Sequence, residues 1–142
     1  MGNRAVIAFK GTGMGVYLHW HGSPSSVVAY LAAAKTLGFR SPTGDSTYAM
    51  ARFVQMIGNH IGGTLSIGVG CIEHLDTDNY DNGTYVVGDE WKIVNMYGKG
   101  SEKPATCEIS SDHLVSDDLL REILKANNMI VCEEHSRDGM RR

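Results

Sequence analysis

Cysteine and proline are scarce, at three of each in 142 residues. Cys71, Cys107 and Cys132 are odd in number and far apart, with no Cys-x-x-Cys pair. That excludes a zinc ribbon and a thioredoxin-type redox site, and leaves reduced, mostly buried thiols. No apolar run approaches the ~20 residues needed to span a bilayer. The opening Met1-Gly2-Asn3-Arg4 lacks the basic, apolar and small-residue order of a signal peptide. Val6 stands where a myristoylation motif needs Ser or Thr. A cytoplasmic protein with no membrane partner is expected. Acidic residues are nearly missing from one half. Residues 1–70 hold five bases and one acid, Asp45, for a net +4, and residues 71–142 carry −7. Such asymmetry either makes a basic anion-binding face or cancels when folding interleaves the halves.

What is plentiful is glycine, at 17 residues, most of it between apolar runs. Hydrophobic residues at 42% and charged residues at 20% suit one folded domain with a modest core. Residues 4–9 read as a strand of small and β-branched residues, and residues 16–21 as a second. The glycine-rich link Gly11-Thr12-Gly13-Met14-Gly15 makes them a hairpin. Ser23-Pro24 then starts a helix closed by Gly38, and a second helix spans about 47–61 with apolar positions Met50, Phe53, Val54, Ile57 and Ile61. Further strands are predicted at 64–69, 84–87 and 91–97, with an edge strand at 105–109 after a mobile loop at 98–104. Ser116 caps a last helix, ended by Asn127-Asn128, and residues 129–132 form a short strand. The fold class is α+β: a single domain over residues 1–132, mostly antiparallel sheet, with a helix pair inserted after the first hairpin and a C-terminal helix. Residues 133–142 read as a solvated tail.

The densest local feature is Tyr17-Leu18-His19-Trp20-His21-Gly22. In an extended chain Tyr17, His19 and His21 share one face. A His-x-His pair on a strand can chelate a metal, line a pocket or simply be covered. The glycine loop at 11–15 precedes a strand rather than a helix and lacks Gly-Lys-Ser/Thr, so it reads as a hairpin turn and not a phosphate cradle. Residues 76–83 resemble a calcium loop in composition, but Tyr80 occupies a ligand position, and Asn82-Gly83 is a hairpin-turn signal. No Gly-x-Ser-x-Gly is present, and no helix carries a basic stripe with aromatics, so nucleic acid is not favoured. The element order resembles that of N-terminal-nucleophile hydrolases. Gly at residue 2, and no Ser, Thr or Cys opening the first strand, argue against that activity.

Four segments carry a further resemblance: Gly2-Asn3-Arg4-Ala5-Val6-Ile7, Tyr17-Leu18-His19-Trp20, Gly58-Asn59-His60-Ile61-Gly62-Gly63 and Asp81-Asn82-Gly83-Thr84-Tyr85. Across roughly residues 2–97 the chain resembles a family of small uncharacterised bacteriophage and prophage proteins. The resemblance brings no activity and no site residues. It implies a phage accessory protein in the bacterial host cytoplasm, where proteins of this size often antagonise host defence by sequestration. The expected function is non-enzymatic binding of a small anionic, nucleotide-like ligand or of a host protein. Tyr17, His19, His21, Arg40, Arg52 and His60 would form the site, without a cofactor, and a homo-oligomer stays open. Two alternatives remain. One is a metal-dependent hydrolase using His19 and His21 with Asp76, Asp78 or Asp81. The other is an acidic interaction protein acting through residues 71–91, where six acids and no base lie between Glu73 and Trp91.

Overall fold

The computed structural model describes residues 2–62, 66–100 and 116–128, with the backbone alone for residues 99 and 100. Five strands form one sheet: β1 (Ala5–Phe9), β2 (Met14–Leu18), β3 (Ile67–Cys71), β4 (Asn82–Val87) and β5 (Ile93–Gly100). Helices α1 (Pro24–Thr36) and α2 (Ser46–Ile61) lie between β2 and β3, and α3 (Asp117–Ala126) follows the sheet. The strand order is β3-β2-β1-β4-β5, antiparallel except for the parallel pair β1–β4. This is the expected α+β domain with its inserted helix pair and C-terminal helix.

Strand β1 is buried along its whole length because both faces of the sheet are covered. Ala5, Ile7 and Phe9 point to the helices and join the core with Val16, Leu18, Tyr85 and Val87. Trp91 completes it, stacked on Phe53 at 5.2 Å and edge-on to Phe9 at 5.5 Å. Burying a side chain of this size contributes roughly 2–3 kcal/mol, so this aromatic group anchors the helix layer. Helix α1 ends as its sequence dictates: Gly38 takes φ +80° and Phe39 N–H closes back on Ala34 O. Helix α3 begins on Ser116, whose hydroxyl accepts from Leu119 N–H.

The opposite face is covered by chain, not by helix. Strands β3 and β4 both run parallel to β1, so the link between them must cross over β2 and β1. Residues 72–81 make that crossing, beginning with a 3₁₀ turn at Ile72–His74. Leu75 seats over Gly15 and Gly70, which are register partners on adjacent strands. A side chain at either position would contact Leu75 directly, closest at Gly15, where a Cβ would lie 3.3 Å from Leu75 Cδ1.

Three local expectations change. Asn82-Gly83 is not a hairpin tip. It opens β4, and Gly83 sits at φ +71° where the β4–β5 register shifts as a bulge. Residues 98–100, expected in a loop, continue β5. The third strand runs Ile67–Cys71, ending two residues beyond the expected 64–69, of which residues 64 and 65 lie outside the described residues. The expected strands at 105–109 and 129–132 and the tail at 133–142 lie outside the described residues.

Candidate functional site

His19 and His21 do not stay together. Strand β2 ends at Leu18, and Asn3 bonds on both sides of the next turn of chain. Its N–H donates to His19 O and its carbonyl accepts from Gly22 N–H, so Trp20 and His21 bulge out of the ladder. His21 adopts φ +64°, a left-handed conformation uncommon outside glycine. The alternation that would hold three side chains on one face is thereby broken. Tyr17 and His19 remain on the crossover face, and His21 turns to the helices.

On the crossover face, Gly2, Arg4, His19 and Asp81 line a cavity of about 360 Å³. The Asp81 carboxylate accepts from both Arg4 N–H at 3.0 Å and Arg4 Nε at 2.8 Å, and Asp76 approaches Arg4 Nη1 at 3.7 Å. The hydrogen bonds from Arg4 hold the Asp81 carboxyl below the usual carboxylate range. The Tyr17 hydroxyl lies 2.9 Å from His19 Nδ1, and burial pushes the phenol upward, so it stays protonated. His19 is therefore fixed at Nδ1 while its ring borders the cavity. Trp20 packs edge-on to that ring at 5.0 Å and is itself 44% exposed. Gly2 is needed here for close approach, since a Cβ would lie 2.7 Å from His19 O and 2.9 Å from its Nε2.

A buried asparagine organises the carboxylates. Asn79 is 1% exposed; its Oδ1 accepts from the N–H groups of Asp81, Asn82 and Gly83, and its Nδ2 donates to Asp76 O and Gly83 O. The amide thus fills the centre of the 76–83 turn, where a calcium loop would place its ion. Among the described residues, no group of three His, Cys, Asp or Glu side chains is disposed to hold a metal. His19 and His21, the expected metal pair, belong to separate clusters.

On the helix face, His21 lies 5.5 Å from His60 and 6.3 Å from Tyr30, centroid to centroid. The Tyr30 hydroxyl meets His60 Nδ1 at 2.8 Å, and His60 Nε2 meets Glu122 at 3.3 Å. One residue each from α1, α2 and α3 is joined in this string. Tyr30 is fully buried, and burial raises its phenol far above the ordinary value. Alongside, Asn127 caps α3 with its amide, donating to Ile123 O and Met56 O and accepting from Asn59. Tyr30, His60, Asn59 and Asn127 all find protein partners, His21 packs on the Tyr30 and His60 rings, and the string that ends on the exposed Glu122 works as a bolt through three helices.

The arginines expected beside the histidines stand elsewhere. Arg40 is exposed, pairs with Asp45 at 2.6 Å and lies over the Tyr48 ring. Its neighbour Ser41 bonds Asp89 beyond the far end of β4, whereas Asp81 precedes the near end. Arg52 is half-buried and engaged on mid-α2, and neither arginine lines the cavity. The acids of residues 71–91 are likewise divided: Asp76 and Asp81 serve Arg4, and Asp89 accepts from Ser41 and Thr43. Arg4, Gly2 and Asn79 were missed as site residues. Their one sequence signal is position, immediately before a fully apolar strand or just before Asn-Gly.

Compared with protein-family models, with curated proteins and with solved structures, the chain matches none.

Proposed function

We propose that the protein binds, without chemical conversion, a small polar molecule bearing one acidic group in the cavity of Arg4, His19 and Asp81. The observation that carries this reading is the convergence of a fixed guanidinium, an oriented imidazole and a carboxylate on one polar space of about 360 Å³. That volume is at the small end of ligand pockets. Arg4 and His19 would take the acidic group, in the geometry that suits carboxylate or phosphate. Asp81 offsets the charge of Arg4, and Asp76 adds another negative group nearby. A polyanion is therefore disfavoured, and a monoanion or a zwitterion, whose amine would meet the aspartates, is favoured. The earlier expectation of a nucleotide-like signal narrows accordingly.

Three of the four segments that resemble phage proteins, at residues 2–7, 17–20 and 81–85, supply this lining. Sequestration of a host small molecule in the bacterial cytoplasm is the use consistent with both. Binding rather than metal-assisted hydrolysis is proposed because the expected metal ligands are divided between two clusters.

Thermal melting with glycine, acetate, inorganic phosphate and AMP in turn tests the reading. A ligand at 100 times its Kd stabilises by about 2.7 kcal/mol, which is readily seen. Stabilisation by a mono-charged probe, lost in Arg4→Gln and His19→Gln, is expected. Equal response of wild type and both variants to every probe would refute it.

A further inference from the structure

The sheet ends on one side at β3, and among the described residues no strand pairs with its outer edge. In an antiparallel ladder, successive residues turn their backbone groups alternately toward and away from the neighbour. His19 N–H donates to Ser66 O and Ile72 N–H to Gly13 O, which fixes that alternation. Ser66, Gly68, Gly70 and Ile72 face β2, so Ile67, Val69 and Cys71 present N–H and C=O outward. The side chains of those three lie on the helix side of the sheet, level with core residues Val16 and Leu18. Val69 is 51% exposed.

Beside this edge runs an apolar groove of about 440 Å³, lined in part by Met14, Met50, Ala51, Val54 and Val69. On α2, Thr47, Ala51 and Val54 border it together with Ser46 and Met50, and Gly58 extends the first three in a 4-3-4 spacing of small side chains. Gly58 lies against Ile67, whose Cδ1 would be 3.7 Å from a Cβ there. The charges and prolines that usually blunt an open edge are missing. From residue 46 to residue 72 there is no acid, no lysine and no proline, and Arg52 is the sole arginine.

We infer that this edge is a self-association surface: two copies pair β3 with β3, antiparallel about a two-fold axis at Val69. The register is self-complementary. Val69 meets Val69 of the second copy, Ile67 meets its Cys71, and all five strand residues are used. Like charges would meet across such an axis, so a face almost free of charge suits a second copy. A partner recruited by charge would find nothing to hold. Five residues span only ~17 Å, too little for a standard interface of about 1,600 Å². The small-residue face of α2 must therefore join, packing on its own copy across the same axis. The inference does not depend on the Arg4–His19 cavity.

Sedimentation equilibrium of the full chain is expected to give twice the 15.5 kDa chain mass. Val69→Pro removes an outward N–H that β2 does not use, and Ala51→Glu places acids on the helix dyad. Each is expected to give a monomer with unchanged circular dichroism. If Val69→Pro fails to fold, Ala51→Glu decides, a folded monomer supporting the inference and a folded dimer overturning it. Val69→Cys, with Cys71, Cys107 and Cys132 replaced by Ser, is expected to cross-link to its own copy under oxidation. Paired Cα atoms there lie ~5.5 Å apart, within disulfide reach. A wild-type chain that stays monomeric at every concentration, or a dimer that survives both substitutions, overturns the inference.

Discussion

Two histidines separated by one residue end in opposite kinds of surroundings. His19 borders an open polar cavity among charged groups, and His21 packs on the buried Tyr30 and the His60 ring at the junction of the three helices. The difference comes from one backbone bulge at Trp20 and His21, not from the side chains. It teaches that the two faces of the sheet do separate work. The crossover face leaves its groups on an open cavity, where binding is proposed, and the helix face spends its groups on holding α1, α2 and α3 together.

The sharpest way to break this division is at the asparagine that builds the crossover face. Asn79→Ala would strand the N–H groups of Asp81 and Gly83, while Asn82 N–H keeps Arg4 O, and it would leave the carbonyls of Asp76 and Gly83 without the amide donor. Each unsatisfied group costs about 1–3 kcal/mol, so a loss of about 3 kcal/mol or more is expected in urea unfolding. Ligand response should vanish with it, because Asp81 and Asp76 hang from that turn. A stable variant with a normal melting response would show that the turn is held by something other than the amide.

Next in size is the bolt. His60→Ala leaves the buried Tyr30 hydroxyl without its partner and frees Glu122. About 2 kcal/mol of stability should be lost, mostly from the buried phenol. The cavity response should survive at the temperature where the variant is folded. Loss of binding without loss of stability would reverse the roles assigned to the two faces.

The two faces also differ in how much of them is legible in the sequence. The helices, the hairpins and the cap at Ser116 were legible because each has a local cause: a period, a proline, a glycine. The cavity was not. Arg4 looks like an ordinary base ahead of a strand, and its partner Asp81 lies 77 residues away. Asn79 sits in a run of Asp, Asn and Tyr that reads as solvated, yet it is the most buried side chain of its turn. Arg40 looked available and is taken by Asp45, five residues on. Long-range polar pairing leaves no periodic trace, and a single φ of +64° at His21 leaves none either.

Arg4→Gln tests the open face with a smaller structural effect. The pair it breaks lies at the rim of the open cavity with side chains 33% and 27% exposed, and Arg4 N–H keeps its bond to Asp81 in the variant, so little stability should be lost. The unfolding midpoint should barely move while the response to mono-charged probes disappears. A large drop in stability would instead make Arg4 a structural clasp between β1 and the crossover, and the cavity a by-product of it.

The smallest expected effect separates the faces by pH. Burial, with a lesser contribution from the neighbouring His60, lowers the His21 pKa below its ordinary value near 6.5, and Glu122 opposes this. Below pH 6.5 the unfolded chain therefore binds a proton that the native state declines. Stability is full above that pH and falls as pH drops toward the depressed native value, where both states are protonated and the slope ends. Asp81 is also depressed, through the Arg4 hydrogen bonds, but from the carboxylate range. Its contribution persists well below pH 6 and is lost only as pH falls through its lowered native value. Urea midpoints between pH 3 and 8 should show two windows, the helix face weakening first on acidification. His21→Gln should flatten the upper window alone, and Asp81→Asn should make only the lower one shallower, leaving the part due to Asp89, whose carboxyl is also held low by the hydroxyls of Ser41 and Thr43. If either substitution flattened both, the two faces would be one coupled network, and the bulge at Trp20 and His21 would join what it is here taken to divide.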